Sequence, residues 1–251
     1  MYNYNLGLKP VLFEVFGYKI EAYPFFVILA LITGLLIYMI QLRMDGIRNS
    51  NAIYIAIFAI LFGTIGSKLP IVIMYWDEIN NSAHPLDILY SGRTIVGGLV
   101  GGFLGTFLAK KLFNIKERMG NQLAIPVAFA MAVGRLGCLF RGCCYGIQAK
   151  FFWGIDFGDS IYRHPTQIYE IIFDVLLGIY LIYRKKKGVL PGQLFKIFLN
   201  SYLVFRFLLE FIRVEKVSFI GFTDFQLLCA VSVAYINREG IKKLLIRKKG
   251  E

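Results

Sequence analysis

The chain has 251 residues, 57% of them hydrophobic and 18% charged, with a mean hydropathy of +0.60. An ordinary soluble domain carries about 25% charged residues, so the composition argues against a water-soluble globule. The net charge of +12 does not argue for nucleic acid, because the basic residues fall in short runs between apolar segments, as anchors on an anionic membrane surface do.

Met1 to Ala22 lacks a basic stretch ahead of a short apolar core, so no cleavable signal peptide is expected. Seven apolar segments follow: Tyr23–Leu42, Ala52–Trp76, Thr94–Leu112, Leu123–Phe140, Thr166–Tyr183, Leu190–Ile212 and Phe219–Ile236. At about 20 residues each is long enough to cross the hydrocarbon as a helix. The second carries Gly63, Gly66 and Pro70, which predict a kink or tilt. The third carries Gly97, Gly98, Gly101, Gly102 and Gly105 at close intervals. Such a face lets a second helix backbone approach, or admits a lipid headgroup or chain. The expected fold is all-α, a polytopic bundle of about seven transmembrane helices forming one integral-membrane domain over residues 1–251.

The connections set an orientation. Arg43 and Arg48, then Lys110, Lys111, Lys116 and Arg118, then Arg184 to Lys187, then Arg238, Lys242, Lys243, Arg247, Lys248 and Lys249 all fall on one side. They account for 16 of the 28 basic residues, whereas Asp77 to Ser91 has none and carries Asp77, Glu78 and Asp87. The positive-inside rule then predicts an outer N-terminus and a cytoplasmic C-terminus.

Charges inside the apolar segments carry the functional signal. An ionised side chain near the bilayer midplane costs roughly 3 kcal/mol even on lenient insertion scales. Arg135 closes the fourth segment within Gly134-Arg135-Leu136-Gly137-Cys138-Leu139-Phe140-Arg141-Gly142-Cys143-Cys144. It either pairs with a neighbouring carboxylate for packing alone, or offers its planar fork of donors to a phosphate. Arg206 and Glu210 stand four apart and share a helix face, as an internal salt bridge or with Glu210 orienting Arg206 toward an anion. Arg213, seven residues after Arg206, returns to that face. In Arg163 to Glu170, Pro165 and Thr166 mark a helix start with Thr166 as N-cap. His164, Gln167 and Glu170 are three apart, and that polar face belongs inside the bundle.

Cys138, Cys143 and Cys144 leave several readings open. A zinc or iron–sulfur site wants four well-spaced ligands, and here there is no C-x-x-C and no paired His nearby. The other readings are a thiol nucleophile activated by Arg135 or Arg141, a Cys138–Cys143 disulfide, or small packing residues. Cys229 reads as packing. No metal and no cofactor is expected.

The set of G-R-x-G in the fourth segment, R-H-P-T-Q-I-Y-E at the fifth and R-F-L-L-E-F-I-R in the sixth resembles the prolipoprotein diacylglyceryl transferase family, with matching order and spacing over about Glu21 to Ile236. Tyr23 and the run Val96-Gly97-Gly98-Leu99 fall where that family has corresponding elements. The resemblance implies a bacterial cell-membrane enzyme that moves the diacylglyceryl group of phosphatidylglycerol, or a similar anionic phospholipid, to the lipobox cysteine of a preprolipoprotein, releasing glycerol 1-phosphate. It implies Arg135 and Arg206 holding the phosphate, and Glu210 orienting Arg206. Tyr23 and the residues from His164 through Gln167 and Tyr169 to Glu170 shape the cavity, with Gly97, Gly98 and Arg213 also on the substrate side. The acceptor brings the sulfur, so the enzyme's thiols need no covalent role, and Cys143→Ser is expected to keep substantial activity.

The chain departs from the family pattern at two places. The fourth-segment motif usually reads G-R-x-G-N-x-x-N-G-E, and Cys138, Arg141 and Cys143 stand where it has Asn, Asn and Glu. Arg141 adds a cation near the headgroup. Val96 stands where the family usually has His before Gly-Gly, so the thiol proton must go to His164, Glu170, a cysteine or water. Competing readings are a paralogue with a different acceptor, a thiol-redox membrane protein using Cys138, Cys143 and Cys144, and a lipid-binding or transport protein without chemistry.

Overall fold

The computed structural model describes residues 7–47, 52–74, 76–81, 94–116, 119–150, 152–214 and 221–238. It is mostly helical. The helices are α1 (Ala22–Met44), α2 (Ala52–Met74), α3 (Trp76–Asn81), α4 (Ile95–Leu112), α5 (Gly120–Arg141), α6 (Thr166–Lys186), α7 (Gln193–Leu209) and α8 (Asp224–Ile236), with a 3-10 turn Glu210–Ile212 extending α7. Among the described residues, Ala22–Met44, Ala52–Pro70, Gly120–Arg141 and Thr166–Lys186 are long and apolar enough to cross a membrane. This is a multi-pass membrane protein.

Each expected apolar segment carries a helix over most of its length. In the last, the helix begins only at Asp224, and Phe219 and Ile220 lie outside the described residues. So do Arg48, Arg118, Lys242 to Lys249 and most of the acidic loop that includes Asp87.

Two antiparallel hairpins complete the described residues: β1 (Val11–Val15) with β2 (Tyr18–Glu21) ahead of the first apolar segment, and β3 (Ile155–Asp156) with β4 (Tyr162–Arg163) between the fourth and the fifth. The β1–β2 turn is the tight two-residue kind that needs positive φ at both positions, supplied by Phe16 at 49° and Gly17 at 80°. In the β3–β4 loop the Asp156 carboxylate accepts from the backbone N–H of Gly158 (2.8 Å) and of Ser160 (3.0 Å). Arg163 closes the same loop on Asp159 at 2.6 Å and holds that carboxyl below its ordinary range.

The chain divides into two compact units. In residues 38–118, α2 and α4 pack through glycine. A Cβ on Gly66 would lie 2.5 Å from the Gly97 carbonyl oxygen, and one on Gly101 would collide with the Phe62 carbonyl. The small side chains permit backbone contact between helices, the packing alternative of the two read from the sequence. In residues 1–37 and 119–251 the core is built by α5, α6 and α7, where Ala124, Ile125, Ala128, Leu177, Leu181, Leu194 and Phe198 pack together.

Helix α6 has the polarity of a lipid-facing element. Its buried stripe is Thr166, Gln167, Glu170, Asp174, Leu177, Gly178 and Leu181, while Ile172, Leu176, Ile179 and Tyr183 are exposed. Water would select the opposite arrangement, so the outward apolar face identifies lipid as the solvent.

Candidate active site

The polar residues of the larger unit converge where the end of α5, the start of α6 and the end of α7 meet. Helix α5 stops at Gly142, which adopts the left-handed conformation (φ 71°, ψ 40°) and donates its N–H to the carbonyls of Cys138 and Leu139. This is a glycine C-cap. It turns the chain so that the next residues run back across the helix ends. There the Gln167 amide donates to the Cys143 carbonyl (2.6 Å) and the Thr166 hydroxyl to the Cys144 carbonyl (2.5 Å). The Gly146 N–H donates to the His164 carbonyl (2.8 Å), and Ile147 to the Ile212 carbonyl (2.9 Å). These bonds bring three segments distant in sequence into register.

Thr166 is therefore not the N-cap expected from the sequence. Pro165 holds the cap position, Thr166 opens the helix, and its hydroxyl is spent on the Cys144 carbonyl.

The scaffold assembles a run of alternating charge. Arg135 pairs with Glu170. Glu170 Oε1 lies 3.8 Å from Arg213 Nη1, and Arg213 Nε lies 3.9 Å from Glu210 Oε2. Glu210 pairs with Arg206 at 2.8 Å. Arg135, Glu170, Arg206 and Glu210 are all buried. Three guanidinium groups and two carboxylates alternate along the run, in a setting where charge interacts strongly. The Arg206 Nη1 is buried and has no hydrogen-bond partner among the described residues. A buried guanidinium donor left without a partner is costly.

Not every expected residue joins this run. Gln167 is fully buried and ties down Cys143. His164 precedes α6 and its Nδ1 lies 3.1 Å from the Tyr169 hydroxyl, which also accepts from the Trp153 indole at 3.0 Å. Arg141 stacks over the Tyr23 ring at 5.2 Å. Gly97 and Gly98 belong to the other unit, where they meet α2. The side chain of Val96 is outside the described residues.

Asp174 is the residue the sequence analysis missed. It is fully buried one turn along α6 from Glu170, and both carboxyl oxygens lack a hydrogen-bond partner among the described residues. Its spacing of four from Glu170, inside an apolar segment, was the available signal. The three thiols of Cys138, Cys143 and Cys144 converge, their sulfur atoms all within 4.8 Å of one another, and Cys138 Sγ is 4.0 Å from Arg135 Nη1.

Comparison with known proteins agrees with this architecture. The model of the family described as Prolipoprotein diacylglyceryl transferase matches residues 10–237. A Clostridium tetani protein named phosphatidylglycerol--prolipoprotein diacylglyceryl transferase is 34% identical over 82% of this chain and 86% of its own length. A Clostridium perfringens relative, named as transferase 2 of that kind, is 30% identical over 85% of this chain and 87% of its own. A Staphylococcus aureus relative of the same name is 25% identical over 86% and 81%. With its arginine cluster, its helical membrane architecture and a match over nearly its whole length, the chain belongs to the prolipoprotein diacylglyceryl transferase family.

Proposed function

We propose that this protein transfers the diacylglyceryl group of phosphatidylglycerol to the thiol of a lipobox cysteine in a preprolipoprotein, releasing glycerol 1-phosphate. The observation that carries the reading is the Arg135–Glu170–Arg213–Glu210–Arg206 run, which gathers three guanidinium groups, with an Arg206 donor that has no hydrogen-bond partner among the described residues. When the C–O bond to phosphate breaks, negative charge collects on the departing oxygen. Fixed guanidinium groups stabilise that charge without reorganising, which is worth most in a water-poor site.

In this reading Arg135 and Arg206 hold the phosphate from two helices. Glu210 positions Arg206, Glu170 positions Arg135, and Arg213 bridges the two carboxylates. Tyr23 and Arg141 line the headgroup side, with Gln167 fixing the α5–α6 turn and Tyr169 fixing His164. The protein works as one membrane domain of seven spans in the bacterial cell membrane, its N-terminus outside and its C-terminus in the cytoplasm. The bias of basic residues supports that orientation.

A second reading keeps the lipid donor and changes the acceptor. It draws on Cys138, Arg141 and Cys143 standing where the family has Asn, Asn and Glu. Purified protein incubated with headgroup-labelled phosphatidylglycerol and a lipobox peptide separates the readings. The first gives labelled glycerol phosphate and a peptide heavier by one diacylglyceryl group in equal amounts. Released glycerol phosphate without modified peptide would favour the second, and neither product would reject both.

A further inference from the structure

The incoming thiol has to lose its proton, and Val96 stands where the family usually carries an imidazole. Beside the phosphate-binding arginines lies a group of atoms suited to that task by other means. The sulfur atoms of Cys138, Cys143 and Cys144 all lie within 4.8 Å of one another. Three sulfurs on a tetrahedral zinc ion, at Zn–S of about 2.3 Å, stand about 3.8 Å apart. Less than about 1 Å of closure separates the cluster from that geometry.

The backbone is shaped for this convergence. Gly142 and Cys144 both take left-handed conformations, at φ 71° and 64°. For a non-glycine residue this costs roughly 1–2 kcal/mol, and such strain persists where surrounding structure imposes it. Here the imposing bonds are the Thr166 hydroxyl on the Cys144 carbonyl and the Gln167 amide on the Cys143 carbonyl. Three thiolates on a zinc dication carry one net negative charge, and Arg135 Nη1, 4.0 Å from Cys138 Sγ, offsets it.

We infer that Cys138, Cys143 and Cys144 form a three-thiolate zinc site whose fourth coordination position takes the acceptor thiol as its thiolate, the juxtaposition being this thiol cluster against Arg135. The inference rests on the transfer reading above. Three protein ligands with one open position is the pattern of zinc sites that do chemistry. A thiol bound to zinc is deprotonated outright. The step balances without redox change. The acceptor S–H gives its proton to solvent on binding, and its sulfur attacks the glycerol carbon bearing the phosphate. The C–S bond forms as the C–O bond breaks, and the electron pair of that bond leaves on the phosphate of glycerol 1-phosphate. Cys143→Ser, expected from the sequence alone to keep substantial activity, loses it on this proposal.

The test uses the full-length protein in lipid nanodiscs, reduced with a phosphine and stripped of metal with a chelator. Zinc is titrated against a chromophoric chelator. The expected result is one zinc per chain, with affinity falling at least about 100-fold in each of Cys138→Ser, Cys143→Ser and Cys144→Ser. Cys229→Ser binds zinc like the parent. Cobalt(II) in place of zinc gives sulfur-to-metal charge transfer in the near ultraviolet and tetrahedral bands in the visible, which change when the lipobox peptide is added. Metal-free protein transfers about 100-fold more slowly, the contribution of a lost proton acceptor, and zinc restores it. Substoichiometric zinc, binding indifferent to the three substitutions, copper(I) bound where zinc is refused, or full transfer without metal each overturns the inference. Transfer by a protein that binds no zinc sinks this proposal alone. Stoichiometric zinc in a protein that modifies no peptide sinks the transfer reading instead.

Discussion

Arg135 and Arg206 present the same chemical group from different helices, and their geometry makes the fork matter as much as the charge. Lysine keeps the charge and loses the planar pair of donors. Arg135→Lys and Arg206→Lys are each expected to lower kcat/KM for glycerol phosphate release by about 100-fold, the scale of removing one donor at a developing oxyanion. Near-parental turnover in both folded variants would make these arginines structural. Glu170 sits between Arg135 and Arg213. Glu170→Gln removes the carboxylate paired with the buried Arg135 guanidinium, whereas Arg213 keeps Glu210 at 3.9 Å; breaking a buried pair costs about 3–5 kcal/mol. The expected sign is a clear drop in thermal unfolding temperature in detergent, beyond any change in rate. At this scale the sequence was legible where a charge interrupted an apolar run, as at Arg135, Arg206 and Glu210. Asp174 interrupts an apolar run in the same way, four residues after Glu170, and was passed over because no motif includes it. Cys138, Cys143 and Cys144 were grouped from their closeness in sequence, but the turns at Gly142 and Cys144 that bring their sulfur atoms together were not legible.

Among the elements, α2 and α4 show what their glycines do. A Cβ on Gly101 meets the Phe62 carbonyl oxygen, and backbone atoms cannot rotate away as a side chain can. Gly101→Ala is expected to cost about 1–3 kcal/mol through overpacking, read as a lower unfolding temperature. An unchanged value would mean that the helices part freely. Gly142→Ala removes the residue that tolerates φ of 71° at the end of α5. It should cost about 1 kcal/mol and loosen the Cys143 and Cys144 turn, seen as faster thiol alkylation of both. The long helices were readable from apolar length, but the short α3 was not, because it opens the acidic stretch read as a loop. The two hairpins were not, because strands of five residues or fewer carry little periodicity and their turns owe as much to Phe16 and Asp156 as to glycine.

For the whole molecule, the proposed orientation makes a direct labelling prediction. With the basic runs inside, a cysteine introduced at Lys187 should resist a membrane-impermeant maleimide added to intact cells, whereas one at Asp77 should react. Labelling at Lys187 from outside would reverse the topology. The inverted polarity of α6, with Glu170 and Asp174 inward and Ile172, Leu176 and Ile179 outward, has a consequence for ionic strength. Dissolved ions screen exposed charges over about 8 Å in physiological salt, but they do not enter a hydrocarbon-clad bundle. The Arg135–Glu170 and Arg206–Glu210 pairs are therefore shielded from the salt that weakens surface ion pairs. Raising salt should loosen the hold of exposed lysines such as Lys111, Lys186 and Lys187 on anionic lipid while leaving the interior pairing intact. Any salt dependence of turnover would then report how substrates reach the protein, and not how the site holds them.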